Sequence, residues 1–132
     1  MAFLYHQNQG AIVPGSEYLP AGAITAIRGL ALTMSSGKLA VASGTTAPSY
    51  ICLCDSAGEA LEDGEIIPVS RVLPDQIYAT AWSVAASSVT RGQKVTLSAD
   101  GLQVTATTTS GVAEVVDFEG TNAGDTVYVR FA

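Results

Sequence analysis

The sequence of 132 residues contains one unit twice. Residues 27–41 (IRGLALTMSSGKLAV) align with residues 90–104 (TRGQKVTLSADGLQV), and residues 63–72 (DGEIIPVSRV) align with residues 123–131 (AGDTVYVRF). Each copy runs from Arg-Gly through a strand, a glycine turn and a second strand to a Gly-acid pair and a closing strand with an arginine near its end. A duplicated unit of strands and turns without a polar catalytic cluster indicates a scaffold and not an enzyme.

Alternation of apolar and polar residues predicts a β-hairpin in each copy. The first hairpin covers residues 30–41 and turns at Gly37, and the second covers residues 95–106 and turns at Asp100-Gly101. Because Asp-Gly strongly favours a tight turn, the second hairpin is the more strongly indicated of the two. Further strands are predicted at residues 50–54, 65–73, 76–84, 112–118 and 126–131. Pro68 predicts that the strand at 65–73 lies at a sheet edge or carries a bulge.

About nine short strands separated by Gly, Ser, Asp and Pro turns predict an all-β fold. We expect a small β-barrel or sandwich (β-tulip-like) built from two sequence-related halves, about 27–73 and 90–131, within a β domain of residues 22–132. Two half-sheets that pack face to face would bury apolar sides that neither half can bury alone.

Residues 1–21 differ from the rest of the chain and predict an extended N-terminal arm. Prolines and glycines at residues 10, 14, 15 and 20 oppose a continuous helix or central strand. Two interpretations stay open: a frayed terminus, or an arm that becomes ordered on a partner. The segment begins without basic residues or a long apolar run, so we expect no signal peptide and synthesis in the cytoplasm.

Composition limits the classes of partner. Only 14% of the residues are charged, against about 25% in ordinary soluble domains, which is compatible with a surface partly covered by other subunits. Six basic residues and a net charge of −6 argue against binding nucleic acid or an anionic membrane. No segment reaches the ~18 consecutive apolar residues of a membrane-spanning helix.

We predict no catalytic, cofactor-binding or metal-binding residues. His6 is the single histidine and lies in the irregular arm. Cys52 and Cys54 share one face of a strand, with Ile51 and Leu53 on the other, and are expected to be free thiols or buried side chains. The acidic residues at 59, 62, 63 and 65 form a solvated loop or, alternatively, a weak cation site.

Two aromatic side chains and four arginines have alternative interpretations. Tyr78 and Trp82 are expected in the core, although an intersubunit contact or a carbohydrate platform stays possible. The arginines occupy matched positions in the repeat, Arg28 with Arg91 and Arg71 with Arg130. Such arginines either form local ion pairs, with Asp63, Asp125 or another acid, or contact acidic groups of a lattice or neighbouring subunit.

Several of these segments resemble a known family. Residues 30–41, 43–48 (SGTTAP) and 63–71, with 91–97 (RGQKVTL) and 124–129 (GDTVYV) in the second copy, resemble tailed-phage capsid decoration proteins, the lambda-type head-stabilising and cement proteins. This chain carries two such units, unlike the lambda-type pattern.

The resemblance implies a non-enzymatic virion structural protein, made in the host cytoplasm, that binds the capsid exterior as a homotrimer. It would clamp neighbouring major capsid subunits through an N-terminal arm that adds a strand to a capsid sheet, so removal of residues 1–20 should abolish attachment but not folding. The partner-binding candidates are Phe3, Leu4, Tyr5, Tyr18, Arg28 and Arg91. The alternative is a carbohydrate- or receptor-binding β module of a phage tail or fibre, which requires Tyr78 or Trp82 to be exposed.

Overall fold

The computed structural model describes residues 2–8 and 16–131 and confirms the predicted all-β class, because this part of the chain forms ten strands in two five-stranded antiparallel sheets. Sheet I has the strand order β2-β6-β5-β3-β4, and sheet II has the order β1-β7-β10-β9-β8. The strands are β1 (Leu4–Asn8), β2 (Ser16–Pro20), β3 (Ala31–Ser35), β4 (Lys38–Val41), β5 (Tyr50–Cys52), β6 (Ile66–Arg71), β7 (Gln76–Ala81), β8 (Lys94–Val95), β9 (Ala113–Phe118) and β10 (Thr126–Arg130). Within the described ranges, no helix is long and apolar enough to cross a membrane.

The two copies of the repeat occupy different sheets. Strands β3 to β6 of the first copy all lie in sheet I, and β8 to β10 of the second copy all lie in sheet II. The turns match in backbone conformation, because glycines at equivalent positions have similar positive φ angles: 87° and 92° at 29 and 92, and 87° and 91° at 64 and 124. The hairpin-turn glycines, 37 and 101, are offset by one position in the alignment and have φ angles of 80° and 71°. The repeat in the sequence is therefore also a repeat of backbone geometry.

The two predicted hairpins differ in regularity. In the first, β3 and β4 pair in continuous register around Ser36 and Gly37, which both have positive φ as a type I′ turn requires. In the second, Leu97 and Val104 form an isolated antiparallel bridge. Backbone hydrogen bonds from the Ser98 N–H to the Gln103 carbonyl and from the Thr105 N–H to the Thr96 carbonyl flank it. Leu97 also exchanges backbone hydrogen bonds with Gly44, after β4, and Val104 accepts one from Ser83, after β7. The second hairpin is irregular because its backbone links the two sheets.

Successive side chains of β3 and β5 in sheet I point into two different apolar cores. The core between the sheets contains Ala31 and Ile51 of sheet I against Tyr78, Val115 and Val127 of sheet II. The opposite face of sheet I forms a second core, which loops at residues 21–30 and 53–61 help to cover. This second core contains Leu30, Leu32, Leu39, Cys52, Leu61, Ile67 and Val69. Sheet I is thus buried on both faces over part of its area.

The position of β6 corrects the expectation drawn from Pro68. The strand has two neighbours, β2 and β5, so it is an interior strand without a described register shift. The Pro68 carbonyl accepts a hydrogen bond from the Leu53 backbone N–H at 3.1 Å, just after β5 ends. The missing proline N–H faces the same side, since N–H and C=O of one strand residue point the same way. Proline is tolerated here because no ladder donor is required beyond the end of β5.

The N-terminal segment supplies one edge strand to each sheet. β1 pairs with β7 in sheet II and β2 pairs with β6 in sheet I. Phe3 enters the core between the sheets, with 1% of its surface exposed and its ring 5.2 Å from that of Phe131. Residues 1, 9–15 and 132 lie outside the described residues, and so does that part of the predicted arm.

Candidate partner-binding surface

The side chains considered for catalysis or metal binding lie apart. Among residues 2–8 and 16–131, no three His, Cys, Asp or Glu side chains cluster as metal ligands. The exposed His6 ring packs 4.5 Å from the Tyr128 ring on sheet II. In the acidic loop, Asp63 forms an ion pair with Lys38 at 2.6 Å and its neighbours are exposed. These contacts are those of a solvated protein surface.

The cysteine pair is reduced. Cys52 and Cys54 are free, with their Sγ atoms 3.7 Å apart, as predicted. Burial raises the pKa of the Cys52 thiol to about 11, so this thiol is protonated at neutral pH.

Tyr78 and Trp82 belong to the core, which confirms the preferred interpretation of these residues. Trp82 is fully buried, and its indole N–H donates a hydrogen bond to the Gly120 carbonyl at 2.9 Å. The Tyr78 hydroxyl donates to Gln76 Oε1 at 2.6 Å, and burial raises the pKa of Tyr78 well above its usual value. A sugar platform needs an exposed ring face, and neither side chain offers one.

Three exposed partner-binding candidates, Leu4, Tyr5 and Arg28, meet at one cavity between the sheets, which the buried candidate Phe3 also lines. This cavity of about 180 Å³, called here the β1 cavity, is also lined by Ile51, Leu53 and Ser70 of the sheet I side and by Tyr78 of sheet II. Leu4 and Tyr5 are 46% and 48% exposed. The Tyr5 ring packs edge-on against Tyr78, with centroids 6.3 Å apart. The result is a mainly apolar hollow beside an exposed edge strand.

Backbone hydrogen bonds fix Arg28 at this cavity. The neighbouring Gly29 donates its N–H to the Cys52 carbonyl at 2.8 Å, and its carbonyl accepts from the Phe3 N–H at 2.9 Å. The Arg28 side chain is exposed and makes no ion pair with any residue that the structure describes. Its charge is therefore available to a group from outside the described chain.

The other three arginines of the described part form ion pairs, as the local interpretation expected, although with other acids than Asp63 or Asp125. Arg71 binds Glu17 through two hydrogen bonds of 3.0 Å. Arg130 Nε lies 2.5 Å from Glu114 Oε1.

Arg91 pairs with Asp117 at 2.6 Å and stacks 4.7 Å from the centroid of the Phe118 ring. This guanidinium holds the pKa of the Asp117 carboxyl below its usual value. Arg91 is thus not part of the β1 cavity and already has a partner.

The two remaining candidates, Phe3 and Tyr18, have opposite environments. Phe3 lines the cavity but is buried in the chain's own core, so its side chain is not available to a partner. Tyr18 is 71% exposed and lies opposite Pro68. Opposed residues share a face of the sheet, and so do alternate residues of one strand. Tyr18 therefore lies on the same face of sheet I as the exposed Ile66 and as Ser70, which lines the cavity. An apolar strip therefore continues from the cavity to the edge of sheet I.

The sequence did not reveal Ser70, Ile51 and Leu53 as cavity residues. The shared face of Ile51 and Leu53 follows from strand alternation, but the cavity arises only when β1 of the other sheet lies across them. Segments so far apart in sequence give no local signal of this contact.

Comparison with known proteins identifies the fold. The chain is similar in structure to the head fiber gp8.5 N base of bacteriophage phi29, with a TM-score of 0.56 and 17% sequence identity over 91% of this chain and 95% of that chain. No protein-family model matches the sequence, and no curated protein matches it. At this identity, the similarity establishes a common two-sheet fold over nearly the whole length of both chains.

Proposed function

We propose that the chain is a non-enzymatic structural protein of a phage virion that binds the outer surface of the capsid. The observation that carries the proposal is the fold similarity to the base of a phage head fiber, which covers almost all of both chains. The similarity and the sequence resemblance to capsid decoration proteins are separate indications of a protein associated with a phage head.

In the finer form of the proposal, the protein acts as a homotrimer that clamps neighbouring major capsid subunits and so stabilises the shell. A trimer would carry three linked binding sites, so that the first contact with the capsid makes the next ones intramolecular. A low charged fraction of 14% and exposed apolar side chains at Leu4, Tyr5, Tyr18 and Ile66 suit a permanently assembled protein.

The stabilising role is tested with phage heads that are made without this protein and then given the purified protein back. Phage heads made without it should release their DNA at a lower temperature than complete heads, because each lost clamp weakens subunit contacts. Adding the purified full-length chain should restore both occupancy, measured by quantitative mass spectrometry, and heat resistance. Heads that never contain the chain, or that gain no resistance when it binds, would rule out the stabilising role.

Deletion of residues 1–20 is not a clean test of attachment. It would remove β1, β2 and the core residue Phe3, and therefore disturb both sheets. Point substitutions at exposed positions separate attachment from folding, and the same heads serve as the binding substrate.

A further inference from the structure

We infer that the β1 cavity binds an apolar side chain next to a carboxylate in a segment of a partner protein, with the carboxylate paired to Arg28. The inference rests on the proposed function, because it specifies the chemistry that would hold the partner.

The apolar half of this site is defined by its walls. Ile51 and Leu53 face Tyr5 and Tyr78 across a space of about 180 Å³. Leu4 and Tyr5 at the rim are each about half exposed. Filling this space with an apolar side chain would remove apolar surface of the lining residues from water, which is the principal driving force for association.

The charged half is defined by Arg28. The chain has a net charge of −6, yet no acidic residue among those that the structure describes lines the β1 cavity. The repeat-equivalent Arg91 is already neutralised by Asp117, whereas Arg28 has no ion pair within the described chain. A carboxylate from a partner can therefore bind the Arg28 guanidinium without displacing an internal acid.

The backbone around Arg28 is held in place before any partner binds. Gly29 is hydrogen-bonded on one side to Cys52 and on the other to Phe3, which joins the loop to β5 of sheet I and to the residue that precedes β1 of sheet II. A site that needs little ordering loses less binding free energy to entropy. The apolar walls, the charge of Arg28, which is unpaired among the described residues, and the ordered backbone together suit a partner segment that carries an apolar side chain next to a carboxylate.

The experiment is a nuclear magnetic resonance titration of the isotopically labelled full chain with 4-phenylbutyrate. The matched neutral probe is 4-phenyl-1-butanol. We expect both probes to shift the amide signals of Tyr5, Gly29 and Ser70, and the acid to bind about threefold to fivefold more tightly, as one exposed ion pair allows. Arg28→Gln should abolish that preference, and Arg91→Gln should preserve it.

A second variant tests the apolar wall. Ser70→Leu should fill the cavity and abolish the shifts from both probes, while thermal unfolding checks that the fold is retained. Equal affinity for acid and alcohol, equal behaviour of the two arginine variants, or shifts centred elsewhere would overturn the inference. Shifts of the same amides on raising the concentration of the chain alone would assign the cavity to a second copy and also overturn it.

Attachment to phage heads separates this inference from the proposed function. If Arg28→Gln loses the preference for the acid but binds heads at wild-type occupancy, the cavity is not the contact and the virion role stands. If the probes behave as expected and the wild-type chain does not bind heads, the virion role fails and the chemical preference of the cavity stands.

Discussion

The two copies of the repeat have the same turns but different neighbours. At the Arg-Gly position, φ is 87° at Gly29 and 92° at Gly92. A Cβ atom added at Gly29 would lie 2.5 Å from the Ala2 Cβ, whereas one added at Gly92 would meet nothing within 4 Å. Arg91 pairs with Asp117, while Arg28 faces the β1 cavity without a described ion pair. The N-terminal segment docks against the first copy and thereby makes equivalent positions different.

This difference shows how a duplicated scaffold gains a specific surface. Both copies need the glycine for the turn, but at Gly29 the chain also uses the space above it to hold Phe3 and start β1. The docked strand then forms one wall of the cavity beside Arg28. The second copy has an internally satisfied arginine at the same position.

The largest expected effect concerns the docking of the N-terminal segment. Phe3→Ala should lower the free energy of unfolding by about 3–5 kcal/mol, because it removes a fully buried aromatic ring from the core between the sheets. Tyr18→Ala, on the exposed edge of sheet I, should change it by less than about 0.5 kcal/mol. Urea unfolding measures both, and equal effects would show that β1 is not anchored as described.

The next effect compares the equivalent glycines. Gly92→Ala should destabilise by about 1–2 kcal/mol, from positive φ alone. Gly29→Ala should destabilise by about 2–5 kcal/mol, because the added methyl group also collides with the docked segment. Thermal and urea unfolding of the pair give the comparison. Identical losses would mean that nothing is packed against Gly29 in solution.

The smallest effect compares the equivalent arginines through pH. The pKa of Asp117 is lowered by its hydrogen bond to Arg91, so this pair stabilises the fold above the ordinary aspartate pKa of about 4. The stabilisation disappears as the pH falls through the lowered pKa. Arg91→Gln should thus lower the Tm slightly at neutral pH and have no effect in strong acid.

Arg28→Gln is the matched control and should leave the Tm unchanged at both pH values, since it breaks no described ion pair. A loss of stability that appears only at neutral pH in this variant would reveal an internal acid paired to Arg28, and would remove the charged half of the proposed site.

Local sequence patterns were enough to predict most of the fold. Alternation located the strands at residues 50–54, 76–84, 112–118 and 126–131 to within a few residues, because half-buried strands repeat every two residues. The assignment of the two copies to two sheets is consistent with the expected face-to-face halves. These features depend on contacts near in sequence or on the turns that join them.

Long-range contacts account for what the sequence did not predict. The second hairpin is irregular because Leu97 and Val104 bond to residues after β4 and β7. Phe3 lies in the core because β1 crosses to sheet II, a pairing with β7 more than sixty residues away in the chain. Leu4, Tyr5 and Arg28 were predicted as contact residues, but only the fold brings them to one cavity.

Cryo-electron microscopy of purified phage particles addresses the virion role itself. The proposal predicts density for the two-sheet fold at regular positions on the outside of the head, in contact with major capsid subunits and with the β1 cavity turned toward the shell. Particles whose heads lack this density, or that carry the chain in the tail, would contradict it.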